Sequence, residues 1–206
     1  MDSFIVMFWE KVFGFLKLIS LFQLIRKIFP SKNKYKFVEI WVLSNLLTSL
    51  GFILMTHYLK VYVVLNILFI YGIFRVFEII VYQVNVLLFD PFRDKEEYKL
   101  NSYKRTVILL LHNFIEIIFW FAASYKYLSN EFTNLETNSI LYMIYTSFCV
   151  MTGFGSTSIE PSGNIGIYII WGQSFAGLFM TLISLARFIG LLPSPKSMDE
   201  SENKKD

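Results

Sequence analysis

The 206-residue sequence predicts an all-α integral membrane protein, and three observations carry that prediction. Hydrophobic residues make up 55% of the chain, and the mean hydropathy of +0.51 is too high for an ordinary soluble domain. Four apolar runs are each long enough to cross ~30 Å of hydrocarbon. The 19 basic and 16 acidic residues nearly balance, which argues against a nucleic-acid-binding protein.

Residues 1–36 are predicted to form an amphipathic helix at the inner membrane interface, followed by a basic connector. Within residues 3–29, Glu10, Lys17 and Lys27 fall on one arc at 100° per residue, while the phenylalanines fall largely elsewhere. This pattern is typical of a helix that lies beside anionic lipid head groups. A first membrane-spanning helix is the alternative interpretation of the same residues.

Residues 37–105 are predicted to form a front pair of transmembrane helices with a cytoplasmic loop, and residues 106–193 a second unit with two more. The four spans are predicted at residues 37–58, 61–89, 106–127 and 165–191. Between the last two spans, residues 140–150 form an apolar run that is too short to cross and favours a re-entrant helix. The polar residues 194–206 predict a disordered tail.

The distribution of basic residues predicts the orientation. With both termini in the cytoplasm, most lysines and arginines outside the spans lie on the inner side, and only Lys60 and Lys126 face outward. The sequence therefore predicts a multi-pass protein of the cell membrane with cytoplasmic termini.

A glycine-rich loop follows the short apolar run and precedes the last span. It reads Met151-Thr152-Gly153-Phe154-Gly155. Irregular backbone at membrane depth is tolerated only where protein buries it or where it lines a water-filled path. The position of the loop therefore indicates a pore.

From about residue 107 to residue 192, the sequence resembles the pore module of the potassium-channel superfamily. In that family an outer helix, a pore helix, a filter loop and an inner helix follow one another, and the filter reads T-V-G-Y-G-D. Residues 151–156 read M-T-G-F-G-S, so Ser156 replaces the usual aspartate, and Gly177 stands at the position of the gating hinge glycine. The resemblance implies a homotetramer, because one pore module cannot enclose a four-fold ion site.

The resemblance also implies which atoms bind the ion. The backbone carbonyls of Thr152, Gly153 and Phe154 would coordinate K⁺, which is the transported ion and not a cofactor, while Gly155 permits the chain to leave the filter. Met151 stands where the family has threonine. Its carbonyl is retained, but the innermost ring of hydroxyls is absent, so modest selectivity is expected.

Three charged residues within the spans form a predicted intramembrane cluster. Arg75 and Glu78 are one helical turn apart in the second span, and Glu116 lies near the middle of the third. Because unpaired charges in the membrane are costly, one arginine is expected to bridge both carboxylates. The cluster is interpreted as a helix-packing clamp, with a gating or coupling element as the alternative.

The sequence thus predicts a homotetrameric channel that conducts potassium passively. A weakly selective monovalent cation channel and a non-conducting accessory or structural membrane protein are the alternatives. An enzyme is not expected, because no nucleophile with a base, metal cluster or phosphate loop is recognisable. The lipid bilayer, other copies of the chain and an unidentified regulatory subunit are the candidate partners.

Overall fold

The computed structural model describes residues 3–18, 20–28, 34–59, 61–89, 102–155 and 157–191. Several predicted segments lie wholly or partly outside these ranges. They are the basic connector, much of the predicted cytoplasmic loop, Ser156 and the tail from residue 194. The described helices are α1 (Phe4–Leu18), α2 (Leu21–Ile28), α3 (Lys34–Tyr58), α4 (Tyr62–Val84), α5 (Tyr103–Tyr127), α6 (Ile140–Thr152) and α7 (Asn164–Leu191). A π-helical turn, Asn85–Phe89, extends α4, and Ser129–Glu131 forms a 3₁₀ turn.

Within the described residues, four helices are long and apolar enough to cross a membrane. They run over Lys36–Tyr58, Tyr62–Phe89, Lys104–Tyr127 and Asn164–Gly190. The predicted all-α architecture with four such helices is confirmed, and it is consistent with a multi-pass membrane protein. The outer side below means the side that carries the loop after α6, and the inner side the one that carries α1 and α2.

The central helix is α5, which packs against α3, α4, α6 and α7. Its residues Ile117, Trp120 and Tyr125 are almost fully buried. At Gly72 of α4, an added Cβ would lie 2.5 Å from Cε3 of Trp120, so only glycine lets α4 approach that ring so closely. The core therefore follows α5 across the whole thickness of the helix bundle.

The N-terminal region differs from the single helix that the sequence predicts over residues 3–29. The structure has two helices there, because α1 ends at Leu18 and α2 begins at Leu21. α1 spans only ~22 Å at 1.5 Å per residue and packs against the inner end of α4, where Asn85 Nδ2 donates to the Phe13 carbonyl at 3.2 Å. Neither helix alone reaches the length of a membrane span.

A small cap covers the outer side. Strand β1 (Phe132–Thr133) pairs antiparallel with β2 (Glu160–Pro161), with Phe132 opposite Pro161. The Ser162 N–H donates to the Glu131 carbonyl at 2.9 Å. The cap thus joins the segment before α6 to the segment after it, so α6 and the loop that ends it, residues 151–155 (the α6 loop), lie between two joined segments.

Candidate functional site

The candidate site begins at helix α6, which is short and capped at both ends. At its start, the Ser139 hydroxyl accepts a hydrogen bond from the Tyr142 N–H at 3.2 Å. At its end, Gly153 takes up a left-handed conformation with φ of 70°, and its N–H donates to the Cys149 carbonyl at 2.9 Å. A glycine in this conformation is a common helix C-terminus, because a side chain would be strained there.

The turn after α6 is held by its own threonine. Thr152 Oγ1 donates to the Phe148 carbonyl at 2.8 Å and accepts from the Phe154 N–H at 3.2 Å. The Phe154 side chain is 76% exposed. The turn therefore projects its aromatic residue away from the helix bundle.

Gly155 continues the turn and also requires glycine. Its φ is 89°, and an added Cβ would lie 3.0 Å from the Cys149 sulfur. A hydrogen bond with the Cys149 thiol raises the pKa of the Tyr145 hydroxyl, which lies on the same side of α6. The two loop glycines thus differ in the space around them. An added Cβ at Gly155 would press on Cys149, whereas at Gly153 no described atom lies within 4 Å of an added Cβ.

A buried network of neutral side chains holds α6 between α5 and α7. Gln173 Nε2 donates to the Ser147 hydroxyl at 2.7 Å and to the Ser147 carbonyl at 2.8 Å, and Gln173 Oε1 accepts from the Tyr125 hydroxyl at 2.5 Å. Ser147 Oγ in turn donates to the Ile118 carbonyl at 2.7 Å. No role is predicted for Gln173 from the sequence, although an amide inside an apolar span is itself a signal for hydrogen bonding between helices.

Met151 and Gly177, both predicted site residues, are in contact. Met151 is 2% exposed, and a Cβ on Gly177 would lie 2.0 Å from the Met151 carbonyl oxygen. Gly177 lies inside the continuous helix α7 and lets it approach the end of α6. The gating hinge at Gly177 and ion coordination by residues 151–155 stay predictions.

The structure brings the three intramembrane charges together. Arg75 Nε and Nη2 reach the two oxygens of Glu116 at 2.8 and 3.1 Å, and Nη1 reaches Glu78 Oε2 at 2.7 Å. All three residues are at most 8% exposed. The contact between Arg75 and Glu116 is bidentate, and bidentate arginine–carboxylate pairs are among the strongest hydrogen-bonded ion pairs in proteins.

Neighbouring residues complete the coordination of this charge cluster. Trp120 Nε1 donates to Glu116 Oε1 at 3.2 Å, and the Trp41 ring lies 5.7 Å from Arg75 Cζ, within cation–π range. Glu78 Oε1 accepts from the Phe22 N–H at 2.8 Å and from the Ser20 hydroxyl. The second oxygen of Glu78 therefore caps the N-terminus of α2, where a negative charge is favoured.

No family model matches the chain, and neither the curated proteins nor the solved structures contain a significant match to it. In the described part of the chain, no group of three or more His, Cys, Asp or Glu side chains is placed to hold a metal ion. The α6 loop and the charge cluster are the structural features that bear on function.

Proposed function

We propose that the chain is one subunit of a homotetrameric channel that conducts potassium passively across the cell membrane, with both termini in the cytoplasm. The observation that carries the proposal is the α6 loop. A helix too short to cross the membrane ends in a turn with positive φ at Gly153 and Gly155, and this unit lies between the two long helices α5 and α7. Such a helix and turn suit a pore loop whose backbone carbonyls replace the hydration shell of an ion.

The exposure of apolar side chains supports assembly. On α6 and its loop, Leu141 is 76%, Tyr145 47%, Phe148 44% and Phe154 76% exposed in the single chain. These residues belong to a short helix that is not itself a span and to the turn that follows it, and neighbouring subunits around a common axis would cover them. The proposed tetramer also supplies the four carbonyls of each ion-binding ring.

A weakly selective monovalent cation channel is the second candidate, and Met151 favours it. The Met151 side chain is buried, and its carbonyl oxygen contacts Gly177 of the same chain. A site at that level would lack the ring of threonine hydroxyls and so would hold fewer oxygens around a dehydrated ion. Both candidates use the same loop and differ only in the ratio of potassium to sodium flux.

Reconstitution of the purified chain into lipid vesicles tests both candidates. Potassium flux larger than sodium flux supports the first, and nearly equal fluxes support the second. If neither ion passes, or if mild cross-linking yields only monomers and dimers, the chain is an accessory or structural protein instead.

A matched pair of glycine substitutions tests whether the α6 loop is the filter. Gly153→Ala should abolish flux, because a side chain at φ of 70° is strained by about 1–2 kcal/mol. Gly51→Ala is the control, because Gly51 lies in α3 with an ordinary helical φ and an added Cβ there also meets no described atom within 4 Å. If the Gly153→Ala protein folds, assembles and conducts at the parental rate, the loop is not the filter.

A further inference from the structure

The molecule buries two arginines, and only one of them is paired with carboxylates. Arg75 is 4% exposed and pairs with Glu78 and Glu116. Arg187, near the inner end of α7, is 8% exposed and forms no hydrogen bond or ion pair with a described residue. Arginine keeps its positive charge in proteins, and a buried charge without a counter-charge is costly. We therefore expect an anion from outside the described residues to neutralise Arg187.

An anion can reach the guanidinium group of Arg187 through one nitrogen. Nε and Nη2 are enclosed by the protein. Nη1 also has no partner among the described residues, but it is not enclosed, so it is the nitrogen that reaches the surface. The charge is delocalised over the planar group. A bond to Nη1 alone therefore offsets the charge of the whole group and requires no opening of the structure at Nε or Nη2.

Arg187 lies at the edge of the helix bundle. It follows Met180 and Ile183 on the buried face of α7, at spacings of three and four residues. Leu185 and Ile189 lie on the opposite face and are 56% and 63% exposed. The surface that Nη1 reaches is thus next to exposed apolar side chains of a helix that is long enough to cross the membrane.

The depth of Arg187 matches that of the lipid phosphates on the inner side. At the outer side, Gly166 of α7 lies against the cap, where an added Cβ would be 2.5 Å from the Glu131 carbonyl oxygen. From residue 166 to residue 187 the helix rises ~31 Å at ~1.5 Å per residue. The hydrocarbon core of a bilayer is ~30 Å thick. With the cap at the outer boundary of this core, Arg187 lies at the inner boundary.

Carboxylates of a second copy are poorer candidates for the anion than lipid phosphates. Among the described residues, Glu39 on the inner side already bonds to Arg105 at 2.7 Å, and Glu78 to Arg75. Glu10 also has an interaction partner. Each of these carboxylates would have to leave a partner in order to bind Arg187, whereas a lipid phosphate at this depth would not.

We propose that Arg187 binds the phosphate group of an anionic lipid of the inner leaflet. Nη1 donates to a phosphate oxygen, and the acyl chains pack on exposed apolar neighbours such as Phe188, which is 42% exposed. A head group with a net negative charge is favoured over a zwitterionic one, because the zwitterion carries its own cation. The site lies on α7, apart from the N-terminal helices α1 and α2, and it does not depend on ion conduction.

Two lipids with identical acyl chains test the proposal on the unaltered chain. Binding of phosphatidylglycerol and of phosphatidylcholine to the full-length chain in detergent is titrated by native mass spectrometry. Phosphatidylglycerol should bind saturably and about tenfold more tightly, because the charged hydrogen bond at Nη1 is not opposed by a cation in its head group. Equal affinities, or no saturable binding of phosphatidylglycerol, would overturn the proposal.

Inorganic phosphate distinguishes a lipid from a soluble anion. An excess of inorganic phosphate should leave phosphatidylglycerol bound, because the free ion makes no contact with the apolar surface of α7. Displacement of the lipid by inorganic phosphate would mean that the site holds a soluble anion, and it would overturn the assignment to a lipid.

Matched variants locate the bound lipid. Arg187→Met keeps an apolar side chain of similar length but removes the charge, so the preference for phosphatidylglycerol should fall to about one. Arg26→Met is the control and should keep the tenfold preference, because Arg26 is an exposed basic residue in the last turn of α2. Arg187→Gln provides the same test should Arg187→Met fail to fold. A preference that survives the loss of the Arg187 charge, or that Arg26→Met removes equally, places the lipid elsewhere and overturns the proposal.

Discussion

Two buried polar networks hold this molecule together, and they use different chemistry. Toward the outer side, Gln173 joins α5, α6 and α7 through neutral hydrogen bonds. Toward the inner side, Arg75 joins α4 to α5 through charged ones. The neutral network positions the α6 loop, whereas the charged network positions the front helices against the rest.

The two networks should differ in how well they tolerate the loss of one partner. A buried charge pair adds little net stability to a protein compared with a well-packed apolar pair. Removing one of its members is nevertheless strongly destabilising, because the remaining charge is left without a partner in the low-dielectric interior. A neutral amide leaves only an unpaired dipole when its partner is removed. We therefore expect the inner network to be the more sensitive of the two to a single substitution.

The inner network also extends beyond the four long helices to helix α2. Glu78 uses Oε2 for Arg75 and Oε1 for the N-terminus of α2, so helix α2 is bonded to the same carboxylate that pairs with the arginine. Both the clamp and the coupling interpretation use this geometry. A displacement of α2 would change the partners of Glu78 directly and would reach Arg75 only through that carboxylate.

The largest expected effect is at Arg75. Arg75→Ala leaves Glu78 and Glu116 buried without their common partner, and removal of one member of a buried pair costs about 3–5 kcal/mol in soluble proteins. Lys104→Ala is the control, since Lys104 is exposed and its loss should cost close to zero. Thermal unfolding of the two variants in the same detergent is the measurement, and equal midpoints would show that the charges do not clamp the helices.

A smaller effect is expected at the outer network. Gln173→Leu leaves the buried Tyr125 hydroxyl without its acceptor and removes the link to Ser147, at a cost of about 1–3 kcal/mol. Ser184→Ala on the same helix is the control, because Ser184 Oγ bonds only to the Met180 carbonyl within the described part of α7. A Gln173→Leu variant that unfolds at a lower temperature than Arg75→Ala would reverse the proposed order of the two networks.

Much of the fold could be predicted from the sequence, because hydropathy and length determine it locally. The last span was predicted at 165–191 and is observed as Asn164–Leu191, and the short run predicted at 140–150 is α6, Ile140–Thr152. Helix α5 begins three residues earlier than predicted, at Tyr103, because Ser102 caps it. Such ends depend on single side-chain contacts and not on hydropathy.

The features that the sequence did not predict depend on contacts between distant residues. The break between α1 and α2 lies where Glu78, 58 residues from Ser20, accepts the hydrogen bonds of the new helix start. The contact between Gly177 and the Met151 carbonyl likewise arises only when helices pack. Hydrophobic periodicity along one segment carries no information about such partners.

The smallest expected effect tests the bond between the charge cluster and helix α2. Ser20→Ala removes one of the hydrogen bonds from the start of α2 to Glu78, and the net loss of one hydrogen bond costs typically about 1 kcal/mol. Because α2 is short and partly exposed, the loss should appear as local opening and not as global unfolding. Hydrogen exchange of α2 amides should therefore be about fivefold faster, while the amides of α5 stay unchanged.

Ser44→Ala on α3 is the control, since the exposed Ser44 hydroxyl bonds to the Ile40 carbonyl of its own helix. If α2 exchanges at the parental rate in the Ser20→Ala protein, the Ser20 hydroxyl contributes nothing to holding α2, and the Phe22 N–H alone links α2 to Glu78.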